Sequence, residues 1–164
     1  MTSNSDKLRS LFLAALMVFS VFAGTVALSG SAAAAANEAV TSQGTQDKGV
    51  TSTSYTLTGD LENSGTVETV NVTLESADLN SVTSGDVSFT GTSGLSVNSI
   101  VTDDDTIEIT TGTTSVSAGD TVTVDISANV DNPASGGVYD ADVRLIDGSD
   151  NNIDTLNTDY TIRG

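Results

Sequence analysis

From about residue 51 to the end of the chain, apolar and polar residues alternate in short runs. Thr53, Tyr55 and Leu57 alternate with Ser54, Thr56 and Thr58, and Val70, Val72 and Leu74 alternate with Thr69, Asn71 and Thr73. Val87 and Phe89 mark a short run. Leu95 and Val97 open another that continues through Ile100 and Val101, and Ile107 and Ile109 flank Glu108. The cleanest run is Val122, Val124, Ile126, Ala128 and Val130. Tyr139, Ala141, Val143 and Leu145 follow, and Leu156, Thr158, Tyr160 and Ile162 close the chain. Successive side chains of a strand point to opposite faces, so each run predicts a strand with one buried and one wet face. No long 3.6-residue repeat competes with this reading.

Turn chemistry separates the runs. Asn63-Ser64-Gly65, Ser84-Gly85-Asp86, Thr92-Ser93-Gly94, Asp103-Asp104-Asp105, Ala118-Gly119-Asp120, Asn132-Pro133, Gly136-Gly137 and Asp147-Gly148-Ser149-Asp150 all favour reversals. Seven to nine short, one-faced strands predict an all-β fold, a single two-layer antiparallel sandwich over residues 51–164. Residues 76–83 are expected to make a helical turn with Leu79 and Val82 inward. Thr fills many outward positions, because it is β-branched yet polar.

Residues 1–36 do not belong to this pattern. A basic start (Lys7, Arg9), an apolar run from Leu11 to Leu28, then Ser31 and the tract Ala32 to Ala36 make a cleavable secretory signal helix, cut after Ala36 to within about two residues. An uncleaved anchor is the competing reading, since a span needs ~20 apolar residues; Gly24, Thr25 and the alanines favour cleavage and no stable membrane anchor afterwards. Lys7-Leu8-Arg9 is not a twin-Arg pair, so the general secretory route is expected. Residues 37–50 are polar and weakly patterned. They read as a flexible leader or a loosely held strand, one that could be donated to a neighbouring subunit.

Charge changes the picture next. The chain carries 22 acidic and 5 basic residues and no His, a net of −17. Removing residues 1–36 takes away Asp6, Lys7 and Arg9 and leaves 21 acidic and 3 basic residues, a net of −18. So one-sided a charge excludes nucleic acid and anionic membranes as partners, because both are bound through Lys and Arg. It destabilises a compact state by self-repulsion unless salt is molar, where the Debye length is ~3 Å. Without Cys there is no disulfide and no thiolate chemistry, and without His the commonest general base and metal ligand are missing. No enzymatic activity is expected.

Two stretches carry a resemblance. The segment from Leu8 to Gly24, with its Val21-Phe22-Ala23-Gly24 core and following Ala tract, looks like the signal of haloarchaeal surface (S-layer-type) glycoproteins. That resemblance implies export from a haloarchaeon and a place outside the cell or at its surface. Such glycoproteins are several times longer and end in an anchor, whereas this sequence ends at Gly164 without an apolar tail; a role as main lattice subunit is therefore not expected. The stretch from Val130 to Tyr139 resembles the Asn-Pro…Gly-x-Tyr crossover of prokaryotic surface immunoglobulin-like domains. It implies an immunoglobulin-like sandwich in which Tyr139 ties its hydroxyl back to the backbone.

Candidate chemistry is sparse. Asp103, Asp104 and Asp105 offer oxygen ligands for Ca²⁺ or Mg²⁺ at a hairpin tip, or form a solvated acidic turn. The turn is preferred, because three adjacent side chains cannot all face one ion. Asp147 and Asp150 lie in an Asp-rich loop lacking the Gly and Glu of an EF-hand, where Asn152 and Thr158 stand instead, so a hairpin connection is again preferred. Asn71-Val72-Thr73 is the one glycosylation sequon after the signal, with Asn71 expected on an exposed strand face. The sequence thus points to a non-enzymatic exported structural or interaction protein whose partners are other envelope proteins or further copies of itself. A ligand- or Ca²⁺-binding adhesion module is the alternative; no other cofactor is implied. The charge generates a first prediction: dialysis from molar to low salt should lower the melting temperature steeply, and an unchanged value by circular dichroism would sink the halophilic reading.

Overall fold

The computed structural model describes residues 39–42 and 46–164; the signal segment lies outside them. Among the described residues, nine strands form two sheets: β1 (Ala39–Ser42), β2 (Thr53–Asp60), β3 (Gly65–Leu74), β4 (Val87–Gly91), β5 (Val97–Asp103), β6 (Thr106–Val116), β7 (Thr121–Val130), β8 (Gly137–Ile146) and β9 (Asn152–Ile162). Sheet one has the order β1-β2-β7-β4 and sheet two β5-β6-β3-β8-β9. Every named strand pair is antiparallel. The fold is the expected all-β, two-layer antiparallel sandwich.

The alternation in the sequence becomes the core directly. Tyr55, Leu57, Val122, Val124 and Ile126 of sheet one face Val70, Val72, Ile107, Ile109, Val143, Leu145 and Leu156 of sheet two, and all are buried. Burying each such side chain stabilises the fold by about 1.5–3 kcal/mol. The link between β3 and β4 crosses from one sheet to the other and plugs one end with Ala77, Leu79 and Val82. Leu79 and Val82 point inward as expected, but the segment is a chain of turns and not a helical turn. Its backbone is claimed by other segments: Asp78 and Asp131 exchange both main-chain hydrogen bonds, and the Leu79 N–H donates to the Asp104 carbonyl at 2.7 Å.

Two expectations about strand ends change. Leu95 is buried but precedes β5. The leader is partly strand: residues 39–42 pair with Tyr55–Thr58 of β2, closing that edge of the protein's own sheet. Residues 46–50 then dock elsewhere. The Arg163 N–H donates to the Gln46 carbonyl, the Lys48 N–H to the Arg163 carbonyl, and the Gly49 N–H to the Pro133 carbonyl. These bonds satisfy main-chain groups that a free leader would leave to water.

The Asn-Pro crossover is organised around one side chain. Asn132 is buried, and its Oδ1 accepts the Tyr55 hydroxyl at 2.6 Å, with the Thr53 hydroxyl 2.9 Å from the same oxygen. Its Nδ2 donates to the Asp47 carbonyl at 2.9 Å, so leader, β2 and crossover meet at one amide. The Tyr139 hydroxyl donates to the Ser135 carbonyl at 2.8 Å, the backbone tie that the resemblance implied. Tyr139, Tyr160 and Tyr55 lie in a row, with successive ring centroids 5.6 and 5.5 Å apart, the first contact tilted and the second edge-to-face.

Carboxylates fasten the remaining turns. Asp154 is only 6% exposed; its Oδ2 accepts the N–H groups of Glu62 and Asn63 at 2.7 and 3.0 Å, and its Oδ1 that of Thr155 at 2.9 Å. Asp86 accepts the Thr83 hydroxyl and N–H and the Asn129 amide, and these bonds, the Thr83 hydroxyl first, hold its carboxyl below the usual range. Gly91 ends β4 at φ +97°, where a Cβ would strike the Thr121 carbonyl, so only glycine fits. Asp154→Ala should cost about 3 kcal/mol, since it strands three N–H groups that a charged acceptor now satisfies; denaturant unfolding at fixed salt measures it. Because the folded pKa of Asp86 lies below its unfolded value, its contribution is complete above the unfolded pKa of about 3.9 and is lost as pH falls through the folded one. Melting temperature should therefore decline below about pH 4, less steeply in Asp86→Asn, and parallel profiles would refute this assignment.

Candidate functional site

The outer face of sheet two gathers most of the residues that the sequence singles out. Pairing register lays its outward side chains in rows across the strands. One row runs Val101, Glu108, Asn71, Arg144 and Thr155, and the next runs Asp103, Thr106, Thr73, Asp142 and Asn157. At the β5–β6 end these rows border a cleft of about 420 Å³ lined by Asn71, Val101, Asp103, Asp104, Asp105, Thr106 and Glu108. The sequon and the acidic trio, 32 residues apart by the numbering of Asn71 and Asp103, thus share one surface.

The trio forms the hairpin tip. Asp103 pairs with Thr106, leaving Asp104 and Asp105 as a two-residue turn, with Asp104 at φ +48°. Such tight turns demand positive φ, which Asp tolerates better than most side chains. The tip is folded onto the crossover: Leu74 and Leu79 donate their N–H groups to the carbonyls of Asp105 and Asp104. The Asp104 carboxylate accepts the Asn80 amide at 3.3 Å, and Asp105 accepts the Thr106 hydroxyl at 3.1 Å. Among the described residues, no three carboxylates converge as a metal site would require.

Asp147 and Asp150 stand at the opposite end of the sheet, because β8 runs from Ala141 beside Leu74 to Ile146 beside Thr69. The structure does not bring them to the trio. The Asp147 carboxylate is used inside its own turn, where Oδ1 accepts the N–H groups of Ser149 and Asn151 at 2.8 and 2.9 Å. Those bonds, the Asn151 amide foremost, keep its carboxyl below the usual range. Asp150 takes φ +62° and donates its N–H to the Asp147 carbonyl. This is the hairpin connection preferred from the sequence.

Asn71 is half-buried, not fully exposed as expected, because Glu108 and Arg144 flank it on both neighbouring strands. Its Oδ1 is buried and accepts no hydrogen bond, while Nδ2 is neither buried nor bonded. The amide therefore turns its oxygen into the sheet and its nitrogen outward. The Thr73 hydroxyl of the same sequon lies 3.1 Å from that of Thr106.

Sequence reasoning missed the surroundings. Asp142 has its carboxyl pushed up, first by burial and then by Asp140, with Arg144 opposing. Asp140 pairs directly with Asp159, and like charges so placed repel. Val101 is 65% exposed at the cleft rim. Strand alternation marks these residues as outward, but only pairing partners reveal that they adjoin.

The outer face of sheet one has a different texture. Thr56 and Thr90 donate to Asp125, Thr121 donates to Asp60, and the Thr58 and Thr123 hydroxyls meet at 2.8 Å. Its polar groups are largely satisfied by one another.

Comparison with known proteins agrees with this architecture. No protein-family model matches the chain. It is 69% identical over 49 residues to cell surface glycoprotein 2 of Haloarcula hispanica, which covers 30% of this chain and 5% of that protein. It is 51% identical over 69 residues to cell surface glycoprotein 1 of the same organism, covering 42% and 8%, and 59% identical over 49 residues to a cell surface glycoprotein of Haloferax gibbonsii, covering 30% and 6%. The chain thus spans less than a tenth of the length of these relatives. Among solved structures it is similar to BslA, a bacterial hydrophobin, with a TM-score of 0.50 and 11% identity over 77% of this chain and 96% of that one. A collagen-binding domain of a Staphylococcus aureus adhesin covers 77% and 97% at a TM-score of 0.36 and 10% identity. The structural likeness concerns the sandwich alone. The sequence likeness is to surface glycoproteins of halophilic archaea, and the protein acts outside the cell or at its surface.

Proposed function

We propose that this domain is a non-enzymatic structural or interaction module of a haloarchaeal cell envelope. In this reading it is held there by contacts with other envelope proteins or with further copies of itself, and it is N-glycosylated at Asn71. The observation that carries it is the similarity to three haloarchaeal cell surface glycoproteins. The surface chemistry supports it. Hydroxyls and carboxylates bonded to one another give sheet one a hydrated, uniform exterior suited to concentrated salt. The edge of β4 and the edge of β5 offer main-chain groups to an added strand, the kind of contact by which sandwich subunits assemble.

Light scattering across a concentration series in ~2–4 M salt, where screening removes long-range repulsion, tests the assembling role. Oligomers that grow with concentration are the expected result. A monomer throughout, with a melting temperature that rises on adding Ca²⁺, would replace it with the cation-binding adhesion module.

A further inference from the structure

The cleft beside Asn71 brings a sequon amide, an exposed valine and several carboxylates onto one surface. The Asn71 amide presents an open Nδ2 while its Oδ1 is buried without a donor. Glu108 is its direct neighbour on β6, and Val101 is the neighbour of Glu108 on β5. Val101 therefore lies two strand spacings from Asn71, about 9.5 Å. Single exposed valines are common and carry nothing by themselves. This one stands at the rim of a cleft that begins at a sequon amide.

We propose that the cleft is the resting place of the protein-proximal sugars of a glycan on Asn71; this rests on the glycosylation of Asn71 stated above. In the attachment step, Nδ2 forms a bond to the anomeric carbon of a phosphate-activated glycosyl donor. The bond from that carbon to the phosphate oxygen breaks, and the proton from Nδ2 leaves with the phosphate. The product amide keeps one N–H. A pyranose has an apolar C–H face and a rim of hydroxyl donors. The cleft supplies a matching pair, Val101 for the C–H face and the acceptor-only carboxylates of Glu108 and Asp103 for the hydroxyls. Arg144, on the opposite side of Asn71, does not line the cleft, so the sugars turn toward β5 and away from β8. The backbone of Asn71 is paired on both sides within the sheet.

The test compares one sequence made in two hosts, a glycosylating haloarchaeon and a bacterium lacking the pathway, so that no substitution perturbs the fold. Mass spectrometry of the peptide containing Asn71 reads attachment. Methyl NMR in molar salt reads position, through the shift of the Val101 methyls between the two samples and through their contacts with sugar ring protons. Expected are a sugar mass on Asn71 in the haloarchaeal sample, a shifted Val101 signal and sugar–methyl contacts. A modified Asn71 with unshifted Val101 methyls and no such contacts overturns the docking and leaves glycosylation standing. An unmodified Asn71 in the exported haloarchaeal protein overturns both.

Discussion

A chain with 22 carboxylates and 5 cations cannot neutralise its acidic groups by ion pairing, and the fold rests on what those carboxylates accept in place of cations. They accept N–H and O–H groups. Asp154 takes the backbone of the β2–β3 turn, Asp86 holds the crossover to β7, Asp147 closes its own hairpin and Asp120 caps the turn before β7 through the Ser117 N–H. Charge-assisted bonds of this kind are roughly twice as strong as neutral ones. A surface that would otherwise only repel itself thus becomes the fastening of the loops. The aliphatic core supplies the bulk of the stability, while the carboxylates fasten several of the turns between strands.

Much of this architecture was legible in the sequence, because a period of two leaves little freedom once one face is apolar. Val122 to Val130 and Tyr139 to Leu145 lie in strands with the predicted faces. What escaped lies where tertiary pairing overrides composition. Strand β6 continues through Thr110 to Ser115, a stretch with no apolar residue, since its partner β3 offers backbone to pair with as far as Gly65. A register shift between Val67 and Thr69 lets both Val67 and Val70 point inward, which strict alternation forbids. The leader reads as a flexible segment or a loosely held strand because its side chains are only weakly patterned. Its order comes from main-chain bonds to Arg163, Pro133 and Asn132, which a sequence does not display.

The candidate surface was half legible for the same reason. The sequon and the acidic trio are visible as strings of letters. Their meeting in one cleft depends on β5 and β6 folding back beside β3, a neighbour relation set by topology. Glu108 and Val101 look like ordinary outward residues until the register sets them in line with Asn71. Conversely, the Asp-rich run around Asp147 shows in the sequence, but the N–H groups of Ser149 and Asn151 that its Oδ1 accepts do not. Oxygen-rich loops declare themselves in sequence, whereas the donors that already occupy them do not.

The parallel contact between Gln46–Lys48 and Arg163 carries a mechanical consequence. Two segments lying side by side in the same direction, one near the start of the fold and one at its end, meet a stretching force in shear. Tension drawn through the chain loads their hydrogen bonds together along the strand axis, so they resist as a set and do not peel apart singly. Asn132 reinforces that seam from the crossover, bonding to Val50 through its N–H and to Asp47 through its amide. A pull applied between residues 46 and 163 would thus meet this seam in shear before it parted the two sheets.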